Sequence, residues 1–274
     1  MACFESKLAQ QPVPRDKALN EAARAGALAG EHLSVLDPHL SLPRAEAESW
    51  TASEVLCWGF ERFGRDVAIA SAFGAEGMVL IDLASRLRTD FRVFTLDTGF
   101  FFPETYDLIE TVERRFRIRV ERCSARLTPT EQARVHGEAL WARNPDRCCG
   151  IRKVEPLREK LRTLAAWATA IRRDQTSTRA NAAKIEWDPK FEIVKLNPIA
   201  DWSHEQVWRY IRTHRIPYNP LHDRNYPSIG CTHCTRPVQI GDSPRAGRWA
   251  GSSKTECGLH SREGFGGAAS ATAG

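Results

Sequence analysis

Four of the eight cysteines lie in two compact pairs, and this spacing constrains the fold more than any other feature of the sequence. Cys148 and Cys149 are adjacent in N-P-D-R-C-C-G-I-R-K, and Cys231 and Cys234 form a C-x-x-C in S-I-G-C-T-H-C-T-R-P. Two such pairs supply four thiolates, which is the ligand set of a tetrahedral Zn²⁺ site or of an iron–sulfur cluster. The spacing therefore predicts that the fold brings two distant segments to one metal centre.

The adjacent pair helps to distinguish the two metals. Neighbouring cysteines cannot easily direct both sulfurs at one small ion without backbone strain, whereas a cubane cluster offers each of them a separate iron. The pattern favours a [4Fe-4S] cluster, and zinc is the alternative. Simple burial is a third interpretation, because free cysteine is among the most buried residue types. Two tight pairs beside Gly150 and Gly230 make simple burial the least favoured of the three.

Length and composition indicate one large α/β domain with appended ends. The sequence contains no apolar run long enough to cross a membrane, and its start lacks the basic and apolar regions of a signal peptide. We therefore expect a cytoplasmic protein, in which cysteines more often bind metals or react than form disulfides. The oligomeric state is left open, a homo-oligomer included.

The formal net charge of +5 is mild, and the basic residues are dispersed along the chain. This balance favours a positive pocket for a small anion over a nucleic-acid groove. We expect neither nucleic acid nor a membrane as a partner.

Apolar runs alternate with helical patterns, which is typical of an open, mostly parallel twisted sheet with helices on both faces. We predict an N-terminal helical and loop lead over residues 1–48, an α/β nucleotide-binding and metal domain over 49–235, and a mobile C-terminal tail over 236–274. The lead contains one predicted helix, 17–33. The predicted strands of the main domain are 67–71, 92–96, 118–123, 165–171 and 191–196, and its helices include 75–87, 130–139, 152–164 and one that begins at Ser203.

Three turns at strand ends are candidate anion sites. S-A-F-G-A-E-G joins the first strand to its helix, and backbone N–H groups at such a turn can face an anion. L-D-T-G ends the second strand, at the sheet edge where ligands of open α/β folds bind. R-R-D-Q-T-S-T-R follows the fourth strand and contains arginines, which bind phosphate oxygens well. Taken singly, the first two turns favour an ordinary βα turn, whereas the third is equally compatible with a solvated loop of surface arginines.

Cys257 lies outside the two pairs, in the polar tail K-T-E-C-G-L-H. A reactive cysteine requires exposure and nearby positive charge, because the thiolate is the reactive form. Lys254, His260 and the arginines of the tail would supply that charge. We therefore predict that Cys257 is a reactive thiol.

These motifs together resemble the assimilatory phosphosulfate reductases, and most closely the cluster-containing adenosine 5′-phosphosulfate (adenylyl sulfate) reductases. The resemblance rests on C-C-G-I-R-K, C-T-R-P, R-R-D-Q, L-D-T-G, S-x-F-G-A-E and E-C-G-L-H, and it extends from about Val67 to His260. It implies an adenine-nucleotide α-hydrolase-like fold, related to the ATP pyrophosphatases. It also implies that adenylyl sulfate is reduced to sulfite and AMP, in sulfate assimilation and cysteine biosynthesis. The reductant would be a separate thioredoxin or glutaredoxin.

The resemblance also implies roles for individual residues. Cys257 would attack the sulfur of the substrate and form an S-sulfocysteine, with Lys153 and His260 as further catalytic residues. A [4Fe-4S] cluster would be held by Cys148, Cys149, Cys231 and Cys234. The implied substrate-binding residues are Ser71, Phe73, Gly74, Glu76, Leu96, Asp97, Thr98, Gly99, Arg172, Arg173, Arg245 and Arg248.

Three positions depart from the family pattern, namely Ala72, Gly77 and Phe100, and they affect the expected nucleotide contacts. Reduction of 3′-phosphoadenosine 5′-phosphosulfate by the same mechanism is the nearest alternative function. An ATP pyrophosphatase is disfavoured because S-A-F-G-A-E-G is not an S-G-G-x-D-S-like loop. A metal-binding sensor without catalytic activity is the alternative from outside the enzymes.

Overall fold

The computed structural model describes residues 42–251, 254 and 256–259. The described residues from Pro43 onward belong to one compact unit. The predicted helix 17–33, most of the predicted lead and His260 lie outside the described residues. The predicted division of the chain at residues 48 and 235 stays a prediction.

A six-stranded sheet forms the centre of the fold, in the order β3-β2-β1-β4-β6-β5. Every neighbouring pair is parallel except β5 and β6, which are antiparallel. The strands are β1 (Val67–Ala70), β2 (Arg92–Asp97), β3 (Val120–Ser124), β4 (Ala166–Ala168), β5 (Ile185–Asp188) and β6 (Ile193–Leu196).

Helices connect the strands, and several of them begin at capping boxes that the sequence encodes. Thr51 and Glu54 cap α2, Thr128 caps α5, and Ser203 with Gln206 caps α9. The helices of the described residues are α1 (Arg44–Ala47), α2 (Ala52–Phe63), α3 (Ala75–Leu87), α4 (Pro103–Phe116), α5 (Pro129–His136), α6 (Leu140–Arg143), α7 (Pro145–Cys149), α8 (Glu155–Leu161) and α9 (His204–His214). None of the helices in this part of the chain is both long and apolar enough to cross a membrane.

The sheet packs against α8 through a cluster of large apolar side chains. Phe94 of β2 and Trp167 of β4 are almost fully buried there, against Leu157 and Leu161 of α8. Burying each such side chain contributes about 1.5–3 kcal/mol. This packing fixes the carboxyl ends of β1, β2 and β4 in one layer.

The strand order places a crevice at those carboxyl ends. The chain moves outward from β1 to β2 and β3 on one side, whereas β4 lies on the other side of β1. Loops that follow β1 and β4 therefore leave in different directions, which is where open α/β sheets bind ligands.

The predicted fold class is confirmed, but one helix and two strands differ clearly from prediction. The predicted helix 152–164 is α-helical only over Glu155–Leu161. The predicted strand 165–171 is only Ala166–Ala168, and the residues after it turn into the crevice. β5 was not predicted, because its I-E-W-D segment is short and is followed directly by Pro189. It is the antiparallel edge strand of the sheet, where short alternating segments are common.

Candidate active site

The turn after β1 is shaped by one strained residue and one close contact. Phe73 has φ 57° and is fully buried, which is unusual for a bulky side chain. The Ser71 hydroxyl accepts a hydrogen bond from the Phe73 N–H at 3.1 Å. A Cβ on Gly77 would lie 2.5 Å from Oγ of Ser71. Gly77, which departs from the family pattern, thus makes room for the Ser71 side chain.

A cavity of about 440 Å³ opens at the carboxyl ends of β1, β2 and β4. That volume suits a nucleotide-sized ligand. Of the substrate-binding and catalytic residues that the sequence predicts, those that line the cavity are Ser71, Gly74, Glu76, Leu96, Thr98, Lys153, Arg172, Arg245, Arg248 and Cys257.

Four predicted substrate-binding residues lie outside the cavity wall. Phe73 is buried beneath the turn. Asp97 accepts hydrogen bonds from the Tyr106 hydroxyl at 2.9 Å and from the N–H of Gly99 at 3.0 Å, so this pair stabilises the turn after β2. Arg173 points away from the cavity and binds Glu48 and the carbonyl of Ala182.

Arg172 is buried at the cavity wall, where one of its nitrogens lies between two carboxylates. Its Nη2 lies 3.4 Å from Glu76 Oε1 and 3.3 Å from Asp174 Oδ1. Its Nε and Nη1 are buried without a hydrogen-bond partner among the described residues. Unpaired buried guanidinium N–H groups are costly, so an anionic ligand would complete this site.

Arg248, from the C-terminal segment, is a second arginine at the cavity wall. Arg248 donates to Ser228 Oγ at 3.1 Å and stacks on Trp249 at 4.6 Å. A Cβ on Gly230 would lie 2.4 Å from Nη2 of Arg248, so the absence of a side chain there lets the guanidinium pass. The cavity therefore has cationic groups on more than one side.

Cys257 and Lys153 line the same cavity. Burial alone would raise the pKa of the Cys257 thiol, but the Lys153 charge and the Leu259 backbone N–H lower it below the ordinary value. Burial opposes the charge on Lys153, yet the surrounding sulfurs of Cys231, Cys257 and Cys149 hold its pKa above the usual range. The site therefore favours a thiolate beside an ammonium group.

The two cysteine pairs meet in a crevice beside this cavity. Their four sulfur-bearing residues share its wall with Phe100, Trp141, Pro145, Arg152, Lys153 and His233. Trp141 stacks on His233 at 3.9 Å, and Phe100 packs edge-on against both rings. Phe100, another departure from the family pattern, thus belongs to a cluster of rings that lines the cysteine crevice.

Local backbone structure explains how adjacent cysteines both reach the crevice. Cys148 and Cys149 end α7, and a π-helical turn over Gly150–Val154 follows directly. Such turns are rare and frequently lie at functional sites. Cys231 directly precedes the short 3₁₀ turn Thr232–Cys234, and Cys234 is its last residue.

The thiols of the crevice are mostly shielded from water. Burial raises the pKa of Cys148 and of Cys234, and it raises that of Cys149 to about 11. The Gln132 amide approaches Cys148 Sγ at 3.8 Å, and Arg152 binds Gln132 at 2.8 Å. Within residues 42–251, 254 and 256–259, no group of three or more His, Cys, Asp or Glu side chains is arranged to hold a metal ion.

His222 also lines the cavity, and the sequence interpretation missed it. It lies in the 3₁₀ turn Pro220–Arg224, and both ring nitrogens are buried without a hydrogen-bond partner in the described structure. Burial lowers its pKa, and the nearby charge of Glu76 opposes that effect only in part. The only sequence signal for His222 as a site residue was its position shortly after a proline, in the loop that precedes the second cysteine pair.

Arg179 was singled out only as part of the R-R-D-Q-T-S-T-R loop. In the structure its guanidinium binds Glu256 Oε2 at 3.0 Å and Gln175. It thereby contacts the residue that precedes Cys257.

The mostly parallel six-stranded sheet with helices and a nucleotide-sized crevice at its carboxyl edge defines the fold class, that of the nucleotide α-hydrolase-like proteins. A solved FMN adenylyltransferase from Candida glabrata shares this fold, with a TM-score of 0.52 and 14% identity over 73% of this chain and 67% of that chain. The family model of the phosphoadenosine phosphosulfate reductase domain matches residues 66–237, and the chain belongs to that family.

Curated relatives and a further structure agree with this assignment. The chain is 48% identical to adenosine 5′-phosphosulfate reductase of Halalkalibacterium halodurans, over 76% of this chain and 90% of that protein. It is 47% identical to adenosine 5′-phosphosulfate reductase 2 of Bacillus subtilis, over 76% of this chain and 88% of the relative. A phosphoadenylyl-sulfate reductase from Candida auris, solved with phosphate, has a TM-score of 0.62 and 30% identity, over 69% of this chain and 91% of that chain. The predicted family is confirmed.

Proposed function

We propose that this chain reduces adenosine 5′-phosphosulfate to sulfite and AMP, with Cys257 as the nucleophile. The observation that carries the proposal is that Cys257, Lys153 and Arg172 line one nucleotide-sized cavity. The names of the curated relatives agree with this substrate.

The cavity residues have different roles, namely nucleophilic attack and binding of the substrate's negative charge. The Cys257 thiolate attacks the sulfate sulfur of the substrate, and AMP leaves with the electron pair of the broken S–O bond. Arg172 and Arg248 bind the phosphosulfate oxygens, where negative charge gathers in the transition state. Lys153 supplies a further positive charge beside the attacking sulfur. His260 lies outside the described residues, and its role stays a prediction.

A thioredoxin or glutaredoxin then reduces the enzyme. One of its thiolates attacks Cys257 Sγ, sulfite departs, and the second thiol closes the partner's disulfide. Since Cys257 must first meet a buried substrate and then a protein, we infer that the predicted tail moves during turnover. A cytoplasmic location suits such a reductant.

Cys148, Cys149, Cys231 and Cys234 would hold a [4Fe-4S] cluster, and the residues present fit it. The donor set is four thiols around one crevice, Arg152 and Lys153 offset negative charge, and two side-chain donors reach toward sulfur. The cluster would supply an electrostatic field and a structural link between the two pairs. The dithiol partner supplies both electrons, so the cluster need not supply any.

Steady-state assays of the purified holoenzyme test the proposal. With thioredoxin as reductant, we expect sulfite from adenosine 5′-phosphosulfate and a higher kcat/KM than for the 3′-phosphorylated nucleotide. A preference for the 3′-phosphorylated nucleotide would favour the alternative reductase. No sulfite from either nucleotide in a preparation with about four irons per chain would favour a metal-binding sensor.

A further inference from the structure

The carboxylate of Glu256 joins the catalytic segment to the cavity wall. Its Oε2 lies 3.0 Å from Nη2 of Arg179 and 3.4 Å from Nη2 of Arg245, and Oε1 accepts from the Thr176 hydroxyl at 3.2 Å. The Glu256 and Arg179 side chains are each only 10% exposed. Glu256 directly precedes Cys257, so these contacts fix the backbone that carries the thiol.

The same network extends into the wall of the nucleotide cavity. Arg179 Nη1 donates to Gln175 Oε1 at 2.5 Å, and the Gln175 amide donates to Glu76 Oε1 at 3.2 Å. Glu76 in turn pairs with Arg172. The segment around Cys257 is thus tied, through charged and polar side chains, to the first turn of α3.

Two further contacts anchor residues on either side of Cys257. Lys254 pairs with Asp146 of α7, and the carbonyl of Gly258 accepts a hydrogen bond from Lys190. The anchors of this segment are therefore mostly ionic.

We propose that Glu256 is a positioning residue whose pairing with Arg179 and Arg245 holds Cys257 in the cavity for attack on the substrate. This inference rests on the proposed function. A displacement of about 1 Å between reacting atoms can cost roughly a hundredfold in rate. Arg179 therefore serves the C-terminal segment, while the unpaired N–H groups of Arg172 remain for the substrate.

Ionic anchors also suit the second half of the reaction. In the first step an S–S bond forms between Cys257 and the sulfate sulfur, and the S–O bond to AMP breaks. In the second step a partner thiolate attacks Cys257 Sγ and sulfite leaves with the electron pair of the S–S bond. The partner's two thiols are oxidised, and the sulfur that leaves as sulfite is reduced. A protein thiol reaches Cys257 only when its segment leaves the cavity, and the charged groups of the buried ion pairs then regain their hydration, which offsets part of the lost attraction.

The test compares Glu256→Gln with wild type in the holoenzyme. Single-turnover sulfonation of Cys257 by adenosine 5′-phosphosulfate, without reductant, is followed by peptide mass analysis. We expect the rate to fall roughly ten- to a hundredfold. Equilibrium AMP affinity should stay within about threefold, because the arginines for phosphate remain. Glu256→Asp, which keeps the charge on a shorter side chain, should give an intermediate rate.

Release of the segment is measured separately, by alkylating Cys257 with iodoacetamide without nucleotide. At a pH above 9.0, the ordinary value for the thiol, ionisation differs little between the variants. Glu256→Gln should therefore alkylate faster there while it sulfonates more slowly. A residue that merely supported the fold would lower the melting temperature and would weaken AMP binding together with sulfonation.

Glu159→Gln is the matched control. Glu159 pairs with Arg126 on the surface at 2.6 Å, away from the cavity, and its loss should change neither rate. Sulfonation of Glu256→Gln at the wild-type rate, or equal losses of sulfonation and AMP affinity, would overturn the positioning role. If Glu256→Gln does not fold, the same readouts on Glu256→Asp decide. If wild type itself is not sulfonated, the proposed function fails instead.

Discussion

The hydroxyl oxygen of Thr98 lies 3.4 Å from Sγ of Cys231. Thr98 follows β2 in the L-D-T-G turn, and Cys231 belongs to the second cysteine pair. Cys231 lines both the nucleotide cavity and the thiol crevice. This contact therefore joins a nucleotide-binding turn directly to the proposed metal ligands.

Thr98→Val removes the hydroxyl and keeps the shape of the side chain. Outer-shell partners of metal ligands typically matter by ten- to a hundredfold in affinity or activity. We expect roughly a tenfold loss of sulfite production and a changed absorption spectrum of the iron centre. Thr111→Val is the control, because its hydroxyl donates to the Asp107 carbonyl and accepts from Arg114, both on α4 itself. Wild-type activity and spectrum in Thr98→Val would contradict the link.

Lys153→Gln tests the electrostatic activation of Cys257. The folded-state pKa of Cys257 lies below its ordinary value of 9.0, so the thiolate persists to lower pH than in a free cysteine. Alkylation should therefore reach half of its maximum below pH 9.0 in the wild type. Removing the Lys153 charge raises the pKa, which moves the curve to higher pH and slows alkylation at neutral pH. The measurement is the pH profile of Cys257 alkylation.

Lys160→Gln is the control for that experiment, since Lys160 pairs with Glu121 at 2.6 Å and does not line the cavity. Coincident profiles for Lys153→Gln and the wild type would contradict the assigned role of Lys153.

Gly230→Ala tests whether the Arg248 guanidinium needs the space that the missing side chain of Gly230 leaves beside the second cysteine pair. The added Cβ would lie 2.4 Å from Nη2 and 2.7 Å from Cζ of Arg248, so the guanidinium must shift. We expect KM for the nucleotide to rise roughly tenfold or more, because a charge-assisted hydrogen bond is lost. Gly150→Ala, beside the first pair, meets no atom within 4 Å and should keep the wild-type KM. An equal KM in both variants would refute the role of Arg248.

His222→Phe tests the ring with two unpaired buried nitrogens in the cavity wall. A bound nucleotide offers both donors and acceptors, and losing one such bond costs about five- to tenfold in affinity. We expect AMP to bind that much more weakly, as measured by calorimetry. His214→Phe, at the last residue of α9, should bind AMP normally. Unchanged affinity in His222→Phe would show that the ring does not contact the nucleotide.

The sequence predicted the sheet and the turns of the site because each has a local signature. Strand β1 is a continuous apolar run, β2 has an apolar centre between Arg92 and Asp97, and α2 begins at a capping box. Small residues after β1 indicated the turn at Ser71. The edge strand β5 has no comparable signature in its sequence. Its strand conformation is stabilised by pairing with β6.

The direction of a side chain was harder to predict than its place in a motif. Arg172 and Arg173 are neighbours, but Arg172 lines the cavity, whereas Arg173 begins the 3₁₀ turn Arg173–Gln175 and binds Glu48. The contribution of Glu256 could be recognised only in the tertiary structure, because its partners Arg179 and Arg245 are separated from it along the chain.

The most direct test is the mass of the holoenzyme after incubation with adenosine 5′-phosphosulfate in the absence of any dithiol. The account predicts one added sulfonate, located on the peptide that contains Cys257, and its loss as sulfite when thioredoxin is added. Cys257→Ser should bind AMP but gain no mass. An enzyme that makes sulfite without that adduct, or that carries the sulfonate on another cysteine, would contradict the assignment of Cys257 as the nucleophile.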